Sequence, residues 1–212
     1  GTFYRGEDAT LAVLSPGARG RIQEWLERYI FAEKIEMIDL TQDGAMIEIL
    51  GAGAVDLARR ELSVDLSAVA PHQPFALEAG GKLTAARFDF GSWIGFSLWG
   101  PVADVGGAWN RILAGGATAW GEEAYSIHRI EAGIPLEDRE LGVEYNPWEA
   151  GLADAIHMNK GCYLGQEVIA RLDTYDKVKQ HLAGLRLAPG SVPEPGTSLS
   201  SGARQAGVIT SP

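Results

Sequence analysis

The single cysteine of this chain lies in a distinctive local sequence, K-G-C-Y-L-G-Q-E, at residues 160–167. Cys162 follows Lys160 and Gly161, and Gly165 precedes an apolar-periodic run. Glycine permits sharp backbone turns, while a lysine and the N-terminus of a following helix favour the thiolate form of a cysteine. A lone cysteine is commonly a small buried hydrophobe, but this setting favours a nucleophile, a redox thiol or a soft-metal ligand.

No second catalytic group accompanies the thiol. His157 lies five residues upstream, so a Cys–His acyl-transfer pair requires the loop to fold back on itself. The four histidines are scattered, with no H-x-x-x-H or C-x-x-C spacing, and we therefore expect no metal site. One cysteine excludes an internal disulfide and is consistent with a reducing compartment. Without a G-x-G-x-x-G or P-loop motif, nucleotide phosphate binding has no support.

A second candidate site is R-I-E-A-G-I-P at residues 129–135. On a helix, Arg129 and Glu131 are about 200° apart and so do not share a face. One interpretation is a solvated charge beside a structural salt bridge. The other is that Glu131, near a helix C-terminus, faces a cavity and accepts two N–H donors from a flat heterocycle.

The overall charge limits the classes of partner. The 212 residues carry a net charge of −10, which disfavours tight binding to nucleic acid or anionic membranes. Residues 157–186 are the exception, with five Lys or Arg against three Asp or Glu, and an anionic small molecule would prefer this segment. No apolar run approaches the roughly 20 residues of a membrane span, and no signal peptide opens the chain. We therefore expect a soluble cytoplasmic protein.

The first half of the chain predicts an α+β arrangement. After an irregular opening, Ser15-Pro16 is expected to start a helix over 17–31. Alternating segments at 35–41 and 45–50, joined through Gln42-Asp43-Gly44, predict a hairpin. A helix follows at 54–62. The same order of elements recurs, with strands predicted at 75–79, 82–90 and 93–99 and a helix to about 113. Two similar strand-to-helix junctions, about 50 residues apart, suggest an internal duplication.

The second half positions the two candidate sites. A helix over 122–132 is expected to end at Gly133 in a left-handed cap. Asn146-Pro147-Trp148-Glu149 has the order of a capping box and predicts a short helix to about 156. Another helix is expected at 166–172, directly after the cysteine loop. From 182 the sequence becomes strand-like, passes through a Pro/Gly/Ser-rich stretch at 189–202, and resumes at Ala206.

Three segments together resemble a known family. R-I-E-A-G-I-P-L, N-P-W-E-A-G-L and K-G-C-Y-L-G-Q-E-V-I-A-R, in this order, look like the YgfZ branch of the folate-binding family related to the glycine-cleavage T-protein. The T-protein branch resembles K-x-x-F-I-G-R-E there and requires no cysteine. The resemblance is strong over 125–175 and fainter over 11–120. It implies an α+β ring of domains around a central folate pocket, with a third domain that is a small β-barrel.

The expected domains are an N-terminal α+β domain at 1–70, a second α+β domain at 71–181 and the start of the barrel at 182–212. The chain begins without Met and stops in a strand-like run, so the first domain and the barrel are expected to be incomplete. No G-G-x-x-D-D-like loop of the kind that carries the T-protein's catalytic aspartate is found. This departure argues against aminomethyl transfer.

The resemblance also implies a function and a set of site residues. It implies binding of tetrahydrofolate and support for assembly or repair of iron–sulfur enzymes, with an indirect effect on tRNA thiolation. The expected partners are reduced folate and iron–sulfur client or assembly proteins, without membrane or tight nucleic-acid binding, and the chain is expected to be a monomer. The alternatives are a folate-dependent aminomethyl- or methyltransferase and a non-catalytic scaffold. The catalytic candidate is Cys162, and the cofactor-binding candidates are Glu131, Arg129, Lys160, Tyr163, Gln166, Glu167 and Arg171.

Overall fold

The computed structural model describes residues 1–6, 8–77, 81–90, 93–190 and 192–212. The chain divides into two compact units, Gly1–Ala119 and Trp120–Pro212. Helices and antiparallel sheets are both present, which confirms the predicted α+β class. No helix in the described ranges has both the length and the apolar character that crossing a bilayer requires.

The elements of the first unit are β1 Thr2–Arg5, β2 Thr10–Val13, α1 Arg19–Glu27, β3 Gly44–Leu50, α2 Ala54–Leu62, β4 Pro74–Leu77, β5 Leu83–Phe90, β6 Trp93–Pro101 and α3 Val102–Ala114. Four of the strands form an antiparallel sheet in the order β3-β6-β5-β4. This sheet packs against two helices, and the buried core includes Phe96 and Leu98 of β6 together with Leu57 of α2 and Ile112 of α3.

The predicted hairpin between 35–41 and 45–50 is wrong. Gly44 closes a turn by donating its N–H to the carbonyl oxygen of Leu40 at 2.8 Å, but β3 pairs with β6 instead of with the preceding segment. The turn residues determine only local backbone geometry, whereas β6 is a long apolar strand with a buried centre and offers β3 a partner along its whole length. Ile35, Ile38 and Leu40 remain exposed as a result.

Two further predictions in this unit need correction. The opening is not irregular, because β1 and β2 form a hairpin in which Tyr4 is buried and its ring lies 4.8 Å from that of Trp99. The first helix is shorter than 17–31 and begins after Ala18, since Ser15 and Pro16 belong to the preceding turn. The helix at 54–62 is confirmed at both ends. The tip of the predicted 75–90 hairpin includes residues 78–80, outside the described residues.

The domain boundary expected at residue 70 is crossed by the sheet. β3 comes from the expected first domain and β6 from the expected second, and the two strands pair over the whole length of β3. Both continue into helices, α2 and α3, as the repeated junction suggested. The division into domains at 1–70, 71–181 and 182–212 stays a prediction, as does the duplication.

The second unit contains two helices and one hairpin in its described residues. They are α4 Glu122–Glu131, α5 Gln166–Thr174, β7 Ser198–Ser201 and β8 Arg204–Val208. α4 ends as expected, with Gly133 at φ +70°. The helix predicted to 156 is wrong, because 147–151 form turns and only Ala153–Ala155 are helical, as a 3-10 turn.

The strand predicted from residue 182 is also wrong. No strand forms in the described residues between α5 and Ser198, and pairing begins only with β7, which lies inside the Pro/Gly/Ser-rich stretch, and β8, which follows it. Apolar residues such as Leu185 and Leu187 alternate in sequence but are exposed, since no neighbouring strand pairs with them. A closed barrel is absent from the described part of the chain, and the barrel start at 182–212 stays a prediction.

Candidate functional site

The cysteine loop runs directly into α5. Cys162 is exposed. Gly165 adopts φ +85°, a left-handed conformation that favours glycine, and its carbonyl oxygen accepts the N–H groups of Val168 and Ile169, both at 3.1 Å. Ile169 is buried. The loop therefore ends in a fixed turn anchored by one apolar side chain, and it leaves the thiol accessible to solvent.

Lys160 lies against the ring of Tyr163. Its Nζ atom is 4.6 Å from the ring centroid, within the range of a cation–π contact. Lys160 is exposed and Tyr163 is half-buried, so the contact holds a positive charge at the surface of the loop. Two of the predicted site residues on either side of Cys162 are thus brought together.

The reciprocal hydrogen bonds of the predicted capping box form, although no helix follows them, and the same segment bonds to α5. The Oδ1 atom of Asn146 accepts the N–H groups of Trp148 at 3.0 Å and Glu149 at 3.2 Å, and Glu149 Oε2 accepts the Asn146 N–H at 3.1 Å. The indole Nε1 of Trp148 donates to the carbonyl oxygen of Ile169 at 3.1 Å. The second family-like segment therefore holds α5, which follows the thiol.

Arg129 belongs to a buried polar cluster. Its Nη1 lies 3.6 Å from Glu140 Oε2 and donates to the Ile134 carbonyl oxygen at 3.3 Å, while Nη2 donates to Ser211 Oγ at 3.0 Å. The Ser211 hydroxyl donates in turn to Glu140 Oε1 at 2.7 Å, and the Leu136 N–H donates to Oε2 at 3.0 Å. These contacts favour a structural role for Arg129, and ligand binding by Arg129 stays a prediction.

The pKa of Glu140 lies below its ordinary value. Burial alone would raise this pKa, but the hydrogen bonds from Thr210, Leu136 and Ser211 and the charge of Arg129 together outweigh burial and lower it. Glu140 is therefore held as a carboxylate inside the unit. Glu140 and Ser211 are not predicted from the sequence, because no motif marks either residue and Ser211 lies 82 positions from Arg129 along the chain.

Glu131 lies on the opposite side of α4 from Arg129. It is the last residue of the helix and is exposed, whereas Arg129 is buried, as the helical spacing predicted. In the part of the chain that the structure describes, no hydrogen bond or ion pair engages its carboxylate. Both oxygens of Glu131 are therefore available to N–H donors.

The remaining candidates lie on or near α5. Gln166 is half-buried at its first position, and Glu167 and Arg171 are exposed one turn apart. His157 Nδ1 accepts the N–H of Asn159 at 3.2 Å, a local contact that occupies one ring nitrogen. Across the described ranges, no three His, Cys, Asp or Glu side chains come together as a metal-binding group.

The chain is similar to proteins of known family. A family model described as the GCVT N-terminal domain matches residues 1–160. A chloroplastic protein of Arabidopsis thaliana, provisionally named a transferase, is 36% identical over 97% of the chain and 48% of its own length. Aminomethyltransferases of Rubrobacter xylanophilus and Moorella thermoacetica are 28% and 26% identical, over 98% and 99% of the chain and 56% and 58% of their own lengths. The chain thus spans about half the length of these relatives.

Proposed function

Since the chain belongs to the GCVT N-terminal domain family, we propose that it binds a reduced folate and supports the assembly or repair of iron–sulfur enzymes. The observation that carries this proposal is the exposed Cys162 in the K-G-C-Y-L-G-Q-E loop, which resembles the YgfZ branch. An accessible thiol can act on a partner protein or a cluster without a second catalytic group beside it. The effect on tRNA thiolation is indirect in this proposal.

Tetrahydrofolate is the cofactor that the resemblance implies, and the available carboxylate of Glu131 fits it. A pterin presents adjacent N–H donors on one edge, and a carboxylate can accept two of them. Lys160, Tyr163, Gln166, Glu167 and Arg171 complete the proposed set of binding residues. The ring of domains around a folate pocket and the barrel that follows are parts of this proposal.

The folate proposal is tested by replacing Glu131. Tetrahydrofolate is expected to bind the full chain, and Glu131→Ala is expected to weaken binding by about 1.5–3 kcal/mol, because hydrogen bonds to a charged group are lost. Isothermal titration gives the dissociation constants, and thermal unfolding gives the ligand-induced shift. Glu123→Ala is the matched control, since Glu123 is also an exposed glutamate of α4. This variant should bind folate with unchanged affinity.

Two outcomes would contradict this part of the proposal. The absence of both heat and a thermal shift at millimolar tetrahydrofolate would reject folate binding altogether. Equal weakening in Glu131→Ala and Glu123→Ala would instead reject Glu131 as the specific acceptor, because the loss would then follow the charge of the helix.

A folate-dependent aminomethyl- or methyltransferase is the second candidate. The names of the bacterial relatives favour it, since two aminomethyltransferases match almost the whole chain. The sequence disfavours it, because no G-G-x-x-D-D-like loop is found. The two candidate functions differ in their need for Cys162. The iron–sulfur maintenance factor needs the thiol, whereas the transferase needs only the folate site.

In this proposal the protein acts as a monomer in the cytoplasm, and its partners are iron–sulfur client or assembly proteins. Its net charge of −10 argues against tight binding of nucleic acid. The Arabidopsis relative is named as chloroplastic, which describes that protein. The compartment of the present chain stays a prediction.

A further inference from the structure

Trp148 connects the segment before the cysteine loop to the helix after it. Its indole Nε1 donates to the carbonyl oxygen of Ile169 at 3.1 Å, and the two residues lie on either side of Cys162 along the chain. Among the residues that the structure describes, this is the only hydrogen bond between 146–156 and α5. The bond therefore closes the chain across the cysteine loop.

Helix α5 does not need this bond for its own formation. In an α-helix the carbonyl oxygen of residue 169 accepts the N–H of residue 173, and its second lone pair stays free for another donor. Ile169 is the buried residue of α5, so the indole meets the helix at its buried position. A bond that the helix does not require fixes instead where α5 lies relative to the turns at 147–151.

The backbone on both sides of Trp148 is itself held in place. Asn146 Oδ1 accepts the N–H groups of Trp148 and Glu149, and Glu149 Oε2 accepts the Asn146 N–H. Such reciprocal bonds commonly begin a helix, but here turns follow them. The Glu149 carbonyl oxygen also accepts the Leu182 N–H at 2.9 Å. The same short segment is thus bonded to α5 and to the chain that follows α5.

The start of α5 is coupled closely to the thiol. The first residue of the helix, Gln166, lies four positions after Cys162, and its N–H donates to the Tyr163 carbonyl oxygen at 3.2 Å. The carbonyl oxygen of Gly165 accepts two N–H groups from the first turn of α5. Any displacement of the helix would therefore be passed to the residues beside the thiol.

We propose that Trp148 is a positioning residue for Cys162. Its indole holds α5, and α5 holds the turn after the thiol, so the exposed thiol keeps one position at the surface of the unit. This role rests on the proposed function, in which the thiol acts on a partner protein or a cluster. A thiol in a fixed position meets that partner in the reactive orientation, whereas a thiol on a mobile loop meets it in many orientations.

The first test uses the single cysteine to attach a nitroxide spin label, whose electron paramagnetic resonance spectrum reports its mobility in the folded full chain. The label is expected to be more mobile in Trp148→Phe. It is also expected to be more mobile when benzothienylalanine, which keeps the ring shape but has no N–H, replaces Trp148. Amide hydrogen exchange of α5 is expected to rise about two- to tenfold in both variants, as for the loss of one hydrogen bond.

Trp120→Phe is the control for the spin label, since Trp120 is a tryptophan of the same unit that is 46% exposed and whose ring contacts His128. The spectrum of this variant is expected to match that of the unchanged chain. Identical spectra for the unchanged chain and both Trp148 variants would overturn the proposal. A lower melting temperature of the Trp148 variants with an unchanged spectrum would overturn it too, because the role would then be structural only.

The second test compares the variants in cells that lack the protein. Trp148→Phe is expected to lower the restoration of iron–sulfur enzyme activity at an equal amount of folded protein, while Trp120→Phe restores it fully. Full restoration by Trp148→Phe but none by Cys162→Ser would overturn the role of Trp148 and leave the proposed function standing. Full restoration by Cys162→Ser would instead overturn the proposed function, and the role of Trp148 with it.

Discussion

Arg129→Met is expected to lower the free energy of unfolding by about 3–5 kcal/mol, the cost of leaving a buried partner charge without compensation. Arg129 and Glu140 are both buried, with side chains 6% and 5% exposed. Methionine matches the length of the arginine stem but supplies neither the charge nor the donors to Glu140 and Ser211. Urea denaturation of the full chain measures the loss.

Two variants separate the buried pair from ordinary surface effects. Arg129→Met combined with Glu140→Met should recover much of the lost stability, because a buried ion pair can often be replaced by apolar side chains. Arg28→Met removes an exposed pair with Glu24 and is expected to change stability by about 0–1 kcal/mol. A loss in Arg129→Met no larger than in Arg28→Met would contradict the structural role.

The same cluster predicts how stability depends on pH. The pKa of Glu140 is lowered in the folded chain, because its hydrogen bonds and the Arg129 charge outweigh burial. The carboxylate therefore binds protons more weakly in the folded state than in the unfolded state. Its contribution to stability is complete above the unfolded pKa of about 4.3 and is lost as the pH falls through the lower folded pKa.

Unfolding free energies measured from neutral pH down to pH 3 check this dependence. Glu140→Gln removes the titrating group, so its stability is expected to fall less steeply in the acid range than that of the unchanged chain. Parallel curves for the two proteins would contradict the assignment of Glu140 as a source of acid sensitivity.

Local sequence signals were reliable where one short segment determines the structure. The apolar spacing of 54–62 predicted α2, and the Asn146 and Glu149 pattern predicted the reciprocal capping bonds, since in both cases the interacting groups lie within a few residues. Gly133 similarly marks the end of α4. Each of these features depends on local backbone geometry, which is determined by side chains only a few residues away.

Contacts between distant segments could not be predicted in this way. The partner of β3 is β6, about 50 residues later, and the turn after Leu40 gave no information about it. The cluster of Arg129 joins residues 71 and 82 positions apart. The helical spacing placed Arg129 and Glu131 on different faces, but only the buried acid Glu140 explains which of the two faces inward.

Cys162→Ser is expected to abolish the restoration of iron–sulfur enzyme activity in cells that lack the protein. Because Cys162 is exposed, the melting temperature should stay nearly unchanged, and iodoacetamide should modify the thiol in the folded chain. A large loss of stability in Cys162→Ser with intact activity would contradict a functional thiol.

Leu164→Ala is the control within the same loop. Leu164 is 69% exposed, so its truncation should change stability by about 0.5 kcal/mol or less and leave activity intact. Loss of activity in both variants would mean that the loop acts as a partner surface without a need for thiol chemistry. Loss in Cys162→Ser alone would support the thiol.

The same variants distinguish the two candidate functions. A maintenance factor needs the pocket, the thiol and a partner surface, so the purified chain with reduced folate and an aminomethylated lipoyl carrier is expected to show no turnover. A transferase needs an acid that orients the folate and steers the amine, and it has no need of the cysteine. Formation of methylene-tetrahydrofolate that depends on Glu131 and persists in Cys162→Ser would therefore establish the transferase, because it separates the folate site from the thiol.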